Sequence, residues 1–132
     1  MKKLYNASFT YLIIGLLSGI FAREYGKYKG ILGSTLLNLL HTHTLVLGFF
    51  FFLIALGLAK VFAFHEVKGF NNWFILHNIA LTLMLGSLAA RGLLQLNGAK
   101  FKGLTYIVGF SHSMMAFTLV WFMILLKKSS KI

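Results

Sequence analysis

The sequence predicts an all-α integral membrane protein, a bundle of four transmembrane helices with both termini on one side. Three observations predict it. Hydrophobic residues fill 58% of the 132 positions and charged residues only 11%, more apolar surface than a soluble domain of this size can hide. Four apolar runs divide the chain, at 9–22, within 31–64, at 73–96 and at 104–126. The last three each reach the ~20 residues a helix needs to cross a bilayer, and the first does so when extended back to Leu4. Short polar, basic stretches at 23–30, 65–72 and 97–103 separate them. The chain thus reads as one transmembrane domain, 1–132, with helices at about 4–22, 35–62, 73–96 and 104–126.

Each span has its own character. The first opens on Met1-Lys2-Lys3 and has small Ala22 near its end, which gives it the outline of a cleavable leader. Retained, it is the first span. It carries Gly15, Ser18, Gly19 and Ala22, a small-residue stripe that lets helices approach closely, inside the bundle or across a dimer. No proline occurs, so no helix has an obligate kink. Cysteine is absent as well, which excludes disulfides, thiolate metal sites and iron–sulfur clusters.

The net charge of +11 does not point to nucleic acid. The 13 Lys and Arg are spread over every loop and both termini, where they anchor helix ends to anionic headgroups of the lipid bilayer. Nor does charge set the orientation. The side of the termini carries Lys2, Lys3, Lys60, Lys68, Lys127, Lys128 and Lys131, against Arg23, Lys27, Lys29, Arg91, Lys100 and Lys102 on the other. Seven against six decides nothing under the positive-inside rule.

Five histidines stand out in so apolar a chain. His65 lies in a loop beside Glu66 and reads as solvated. His41, His43, His77 and His112 fall within spans, where an ionisable group is costly and needs a partner. On a wheel of 100° per residue, His41 shares a face with Ser34, Asn38, Thr44, Gly48, Ala55 and Ala59, the stripe expected inside the bundle. His43 shares its face with large apolar residues (Leu36, Leu39, Val46, Phe50, Ile54 and Val61) and looks to lipid, a partner subunit or a flat apolar ligand.

On the fourth span Thr105, Gly109, His112 and Ala116 form one face. Glycine and alanine a turn to either side of a histidine leave a slot that suits a planar macrocycle. Helix rise places His41, His43 and His112 in one layer, with His77 roughly 14 Å away along the membrane normal. His77 is therefore structural beside Asn78, or part of a second site.

Two histidines facing each other, with only two acidic residues in the chain, suit heme better than zinc, which takes three or four protein ligands. Histidine is an axial ligand for heme iron, and porphyrin accepts aromatic and aliphatic walls. Phe49 to Phe52, Phe110, Phe117 and Trp121 supply such walls. Arg91, with Gln95 a turn on and Arg23 ending the first span, is placed to meet heme propionates; the alternative is that Arg91 snorkels to phosphate. Met84, Met114 and Met115 read as packing.

The run Leu40-His41-Thr42-His43-Thr44, followed by Gly48 and Phe49, resembles the second helix of heme–copper oxidase and nitric oxide reductase catalytic subunits. There a Leu-His-Thr motif carries a low-spin heme ligand, which maps onto His41. The chain is far smaller than those subunits and lacks residues for a copper or nonheme iron centre, so oxygen reduction is not implied. Over nearly its full length it also resembles a family of small, poorly characterised four-helix membrane proteins of Gram-positive bacteria. That likeness runs through Tyr11-Leu12, Gly15-Leu16, Gly19 to Arg23-Glu24, the His-Thr-His run and Gly109-Phe110-Ser111-His112. It implies a multi-pass protein of the bacterial plasma membrane.

The expectation is a b-type heme, bis-histidine, with His112 as one ligand and His41 or His43 as the other. The interior stripe and the motif favour His41, and a subunit interface would favour His43. Electron transfer or heme handling then outranks catalysis at the iron, so an enzyme is not expected. A homodimer and a membrane redox partner go with this reading. The competing class is a small transporter, channel or accessory subunit whose histidines are polar packing or a proton path.

Overall fold

The computed structural model describes residues 1–31 and 35–130, and all regular structure among them is helical. Helix α1 spans Lys2–Tyr28, α2 Leu36–Phe62, α3 Phe70–Leu96 and α4 Lys102–Ser130. Each is long and apolar enough to cross a membrane, so the expected four long apolar helices are present. The helices outrun the apolar runs at both ends because their polar ends are helical too. In α1 the last turns carry an i,i+3 contact between Lys27 and Glu24 at 3.4 Å, which supports helix rather than loop.

The buried stripe of α1 is Leu4, Ala7, Ser8, Tyr11, Gly15 and Ala22, the spacing of a single helix face. Its small residues are used within the chain. A Cβ on Gly15 would lie 2.6 Å from Leu45, and one on Gly19 would lie 3.4 Å from His41. The stripe therefore seats α1 against α2.

Helix α2 is not uniform. It is α-helical over Leu36–His43, π-helical over Thr44–Phe50 and α-helical again over Phe51–Phe62. The absence of proline had implied no forced kink, yet the widened turn arises without one. At its start Thr44 donates its hydroxyl to the Leu40 carbonyl at 2.7 Å, taking up the acceptor that the ordinary ladder would use. A widened turn also leaves carbonyls free for other partners, and Ser8 of α1 donates to Phe49 O at 3.1 Å. Beyond the turn the small stripe still faces inward, as Thr44, Gly48, Ala55 and Ala59 are buried. Ser34, placed on that stripe from sequence, lies outside the described residues.

Helix α3 is the centre of the bundle. Near its far end Gly92 meets α2 so closely that a Cβ there would stand 2.8 Å from the Leu37 nitrogen. One turn on, Gln95 accepts a hydrogen bond from the Leu36 N–H at 3.0 Å, capping a free donor of the first turn of α2. At the near end, where α1 begins and α4 finishes, Lys3 donates to Asn71 at 2.9 Å. There an aromatic core of Phe51, Phe52, Phe64, Phe70, Trp73 and Phe122 joins α2, α3 and α4.

Helix α4 packs along α3 and against the end of α2. Among the described residues, the first half of α2 makes no substantial contact with α4.

Candidate functional site

At the far end of the bundle a cavity of about 390 Å³ is lined by Leu36 of α2, by Arg91, Leu94 and Gln95 of α3, and by Lys102, Leu104 and Thr105 of α4. Lys100 in the α3–α4 connection also lines it. Three cations and no carboxylate surround this space. Arg91, singled out from sequence, is therefore in it, whereas Arg23 is exposed and lies 3.9 Å from Glu24.

Leu36 and Thr105 line this cavity from α2 and α4. His43 lies seven residues after Leu36 in an unbroken α-helical stretch, and His112 lies seven after Thr105 in another. Seven residues are two turns, so each histidine shares a helix face with its cavity-lining residue, ~10 Å further along. Neither histidine is in the lining of the cavity itself.

Their rings are held alike. His43 Nδ1 is 2.9 Å from Leu39 O, and His112 Nδ1 is 2.8 Å from Val108 O, each the carbonyl four residues back. A carbonyl can only accept, so Nδ1 carries the proton in both rings. Each Nε2 is left as a bare lone pair directed away from its helix. A backbone carbonyl on the second nitrogen is the usual orienting contact for a metal-bound imidazole.

Around His112 the expected slot is open. Nothing lies within 4 Å of a Cβ built on Gly109, and Thr105, Gly109, Ser113 and Ala116 are all exposed. The face that reads as the wall of a slot is unpacked in this chain, as a flat ligand would require.

His41 and Gly48 are elsewhere. His41 rests on Gly19 of α1, with Nδ1 buried and without a hydrogen-bond partner. A Cβ on Gly48 would lie 2.5 Å from Tyr11, also of α1. Both belong to the α1–α2 contact. The stripe of α2 that carries His41 packs on α1.

His77 is fully buried in the aromatic core. Its ring stacks on Phe51 at 4.6 Å and 20° and meets Phe52 edge-on at 5.3 Å. Nδ1 lies 3.0 Å from the Thr118 hydroxyl. The Leu47 carbonyl of the widened turn faces the ring, though Nε2 completes no hydrogen bond. Aromatic rings fill the space around it, so His77 binds α2, α3 and α4 together. Met84 and Met115 are buried in the same core. His65 is better covered than its loop position implies, with 19% of its side chain exposed, since its ring lies against Phe70.

Among the described residues no three His, Cys, Asp or Glu side chains come together to hold a metal ion. Tetrahedral zinc sites need that many. Heme iron takes fewer protein ligands than that.

The fold defines a small protein of four helices, each long and apolar enough to cross a membrane, with a cationic cavity at one end. The chain belongs to the family described as a protein of unknown function (DUF2871), whose model matches residues 1–129. No curated protein and no solved structure gives a significant match.

Proposed function

We propose that this chain is a multi-pass protein of the bacterial plasma membrane, with both termini on one side, that holds a b-type heme between α2 and α4. His43 and His112 are the axial ligands. The observation that supports the reading is that His43 and His112, each two turns beyond a residue lining the cationic cavity, both have Nδ1 committed to a backbone carbonyl of their own helix.

The bound group would supply a one-electron couple, and the chain's residues position it. Leu39 O and Val108 O fix the imidazole tautomers and ring directions. Gly109 and Ala116 keep the α4 wall flat. Arg91 and Lys102 meet the carboxylates at the polar end, with Gln95 committed to capping α2. Two nitrogen ligands leave no open position, which favours electron transfer or heme handling over catalysis at the iron. His41, favoured by the oxidase-like motif, is the weaker ligand because its ring lies in the α1–α2 contact.

The test is an absorption spectrum of the detergent-purified protein, oxidised and dithionite-reduced, after expression with heme supplied. A six-coordinate low-spin spectrum that is lost in both His43→Ala and His112→Ala supports the assignment. A colourless protein that refuses added hemin would overturn it.

A further inference from the structure

We infer that the cavity at the far end of the bundle seats one anionic phospholipid, with its phosphate among Arg91, Lys100 and Lys102. This goes beyond the heme reading and does not rest on it, since no histidine lines the cavity. The first support is a missing counter-charge. The chain has only two acidic residues, Glu24 and Glu66. Glu24 is engaged by Lys27 and lies near Arg23. Glu66 lies in the short turn between α2 and α3, at the other end of the bundle. Neither lines the cavity. Three cations gathered in one concavity without a carboxylate repel one another, and an external anion removes that cost.

The second support is the backbone. Lys102, Leu104 and Thr105 line the cavity, and they belong to the first turn of a helix that runs on to Ser130 with no acidic residue at its start. The free N–H groups of that turn and the helix dipole both favour a negative charge there. Gln95 adds a donor. Its carbonyl oxygen is taken by the Leu36 N–H, so its amide nitrogen is what it has left to offer.

The remaining walls separate a lipid from a free phosphate. Leu36, Leu94 and Phe101 are apolar, which a bare anion does not need and a glycerol ester with acyl chains does. Arg91 stands five residues before the end of α3, ~8 Å in from the helix terminus. The cations therefore run inward from the helix end, where a headgroup can enter with its chains turned toward the spans. Further along α4, Ile107 and Phe110 are exposed and offer those chains an apolar flank. Arg91 and Lys102 meet carboxylates in the heme reading, so the lipid belongs to the heme-free protein.

The experiment uses the full-length chain, free of heme, in nanodiscs of equal phosphatidylglycerol and phosphatidylcholine. Native mass spectrometry of the ejected protein counts the lipids it keeps. Phosphatidylglycerol should be retained over phosphatidylcholine by at least about tenfold, the worth of one charge-assisted bond. Arg91→Gln and Lys100→Gln should each lower that preference severalfold, and Lys60→Gln, at the opposite end, should not. Lys100 lies in the α3–α4 connection, so its substitution tests the site even if Arg91→Gln fails to fold. Equal retention of the two lipids, or the same loss in Lys60→Gln as in Lys100→Gln, overturns the inference. Displacement of phosphatidylglycerol by millimolar inorganic phosphate overturns the lipid as ligand and leaves a site for a free anion. Heme is absent from every arm, so no outcome here touches the heme reading.

Discussion

The two halves of this bundle treat the same side chain in opposite ways. In the half near the chain ends, His77 is sealed among Phe51, Phe52 and Trp73 and tied to Thr118. In the other half, His43 and His112 are held only by their own backbones and present their second nitrogen outward. The first arrangement removes a histidine from chemistry and uses it to fasten three helices. The second leaves it available. Position within a span is thus a poor guide to role, and the state of the second nitrogen is a better one.

That contrast can be broken most directly by mutation. Replacing His43 or His112 with alanine should abolish low-spin heme absorption and leave the fold intact. His77→Ala should keep the spectrum but cost about 2–4 kcal/mol of stability as a core cavity opens, measured by unfolding in mixed detergent. Loss of heme in His77→Ala with normal stability would invert the assignment of the two halves.

A smaller effect is expected at the helix contacts that keep the halves in register. Gly92→Val would push a methyl group into the Leu37 backbone and cost about 1–3 kcal/mol, seen as a lower Tm. Gly109→Leu meets open space, so Tm should hold steady while hemin affinity falls. A Tm drop there would mean that the α4 face is packed rather than open.

Arg91→Ala sharpens the polar end. It should weaken hemin binding by about 1.5 kcal/mol or less, the scale of an exposed charge-assisted bond, and leave binding of the heme dimethyl ester unchanged. The smallest effect concerns neither half. Ala63, which ends α2, has φ 52° in the left-handed region, so Ala63→Gly should raise stability by about 1 kcal/mol.

Much of this architecture is legible in the sequence. The apolar runs give four spans because nothing else can use that many apolar residues, and Thr105, Gly109, His112 and Ala116 fall on one exposed face of α4 as the helical period requires. What escapes is anything set by neighbours. A wheel identifies the inward stripe of α2, on which His41 lies, but cannot say that α1 occupies that side. Helix ends at Tyr28 and Ser130 escape because polar residues continue the ladder without an apolar signal. The π-helical turn escapes too, since Thr44 and Gly48 are ordinary in a span until Leu40 O and Tyr11 are known to be their partners.

That turn makes α2 a rod with a soft segment. Backbone bonds over Thr44–Phe50 close a wider ring than those on either side. Its amides should exchange with deuterated solvent earlier than their neighbours once the protein is in detergent. It begins at the residue after His43 and reaches, through Leu47, to His77. An opening there would loosen the stretch that carries His43 while leaving the aromatic packing around Phe52 in place. A wide turn and a tightly packed segment in this way share one continuous helix.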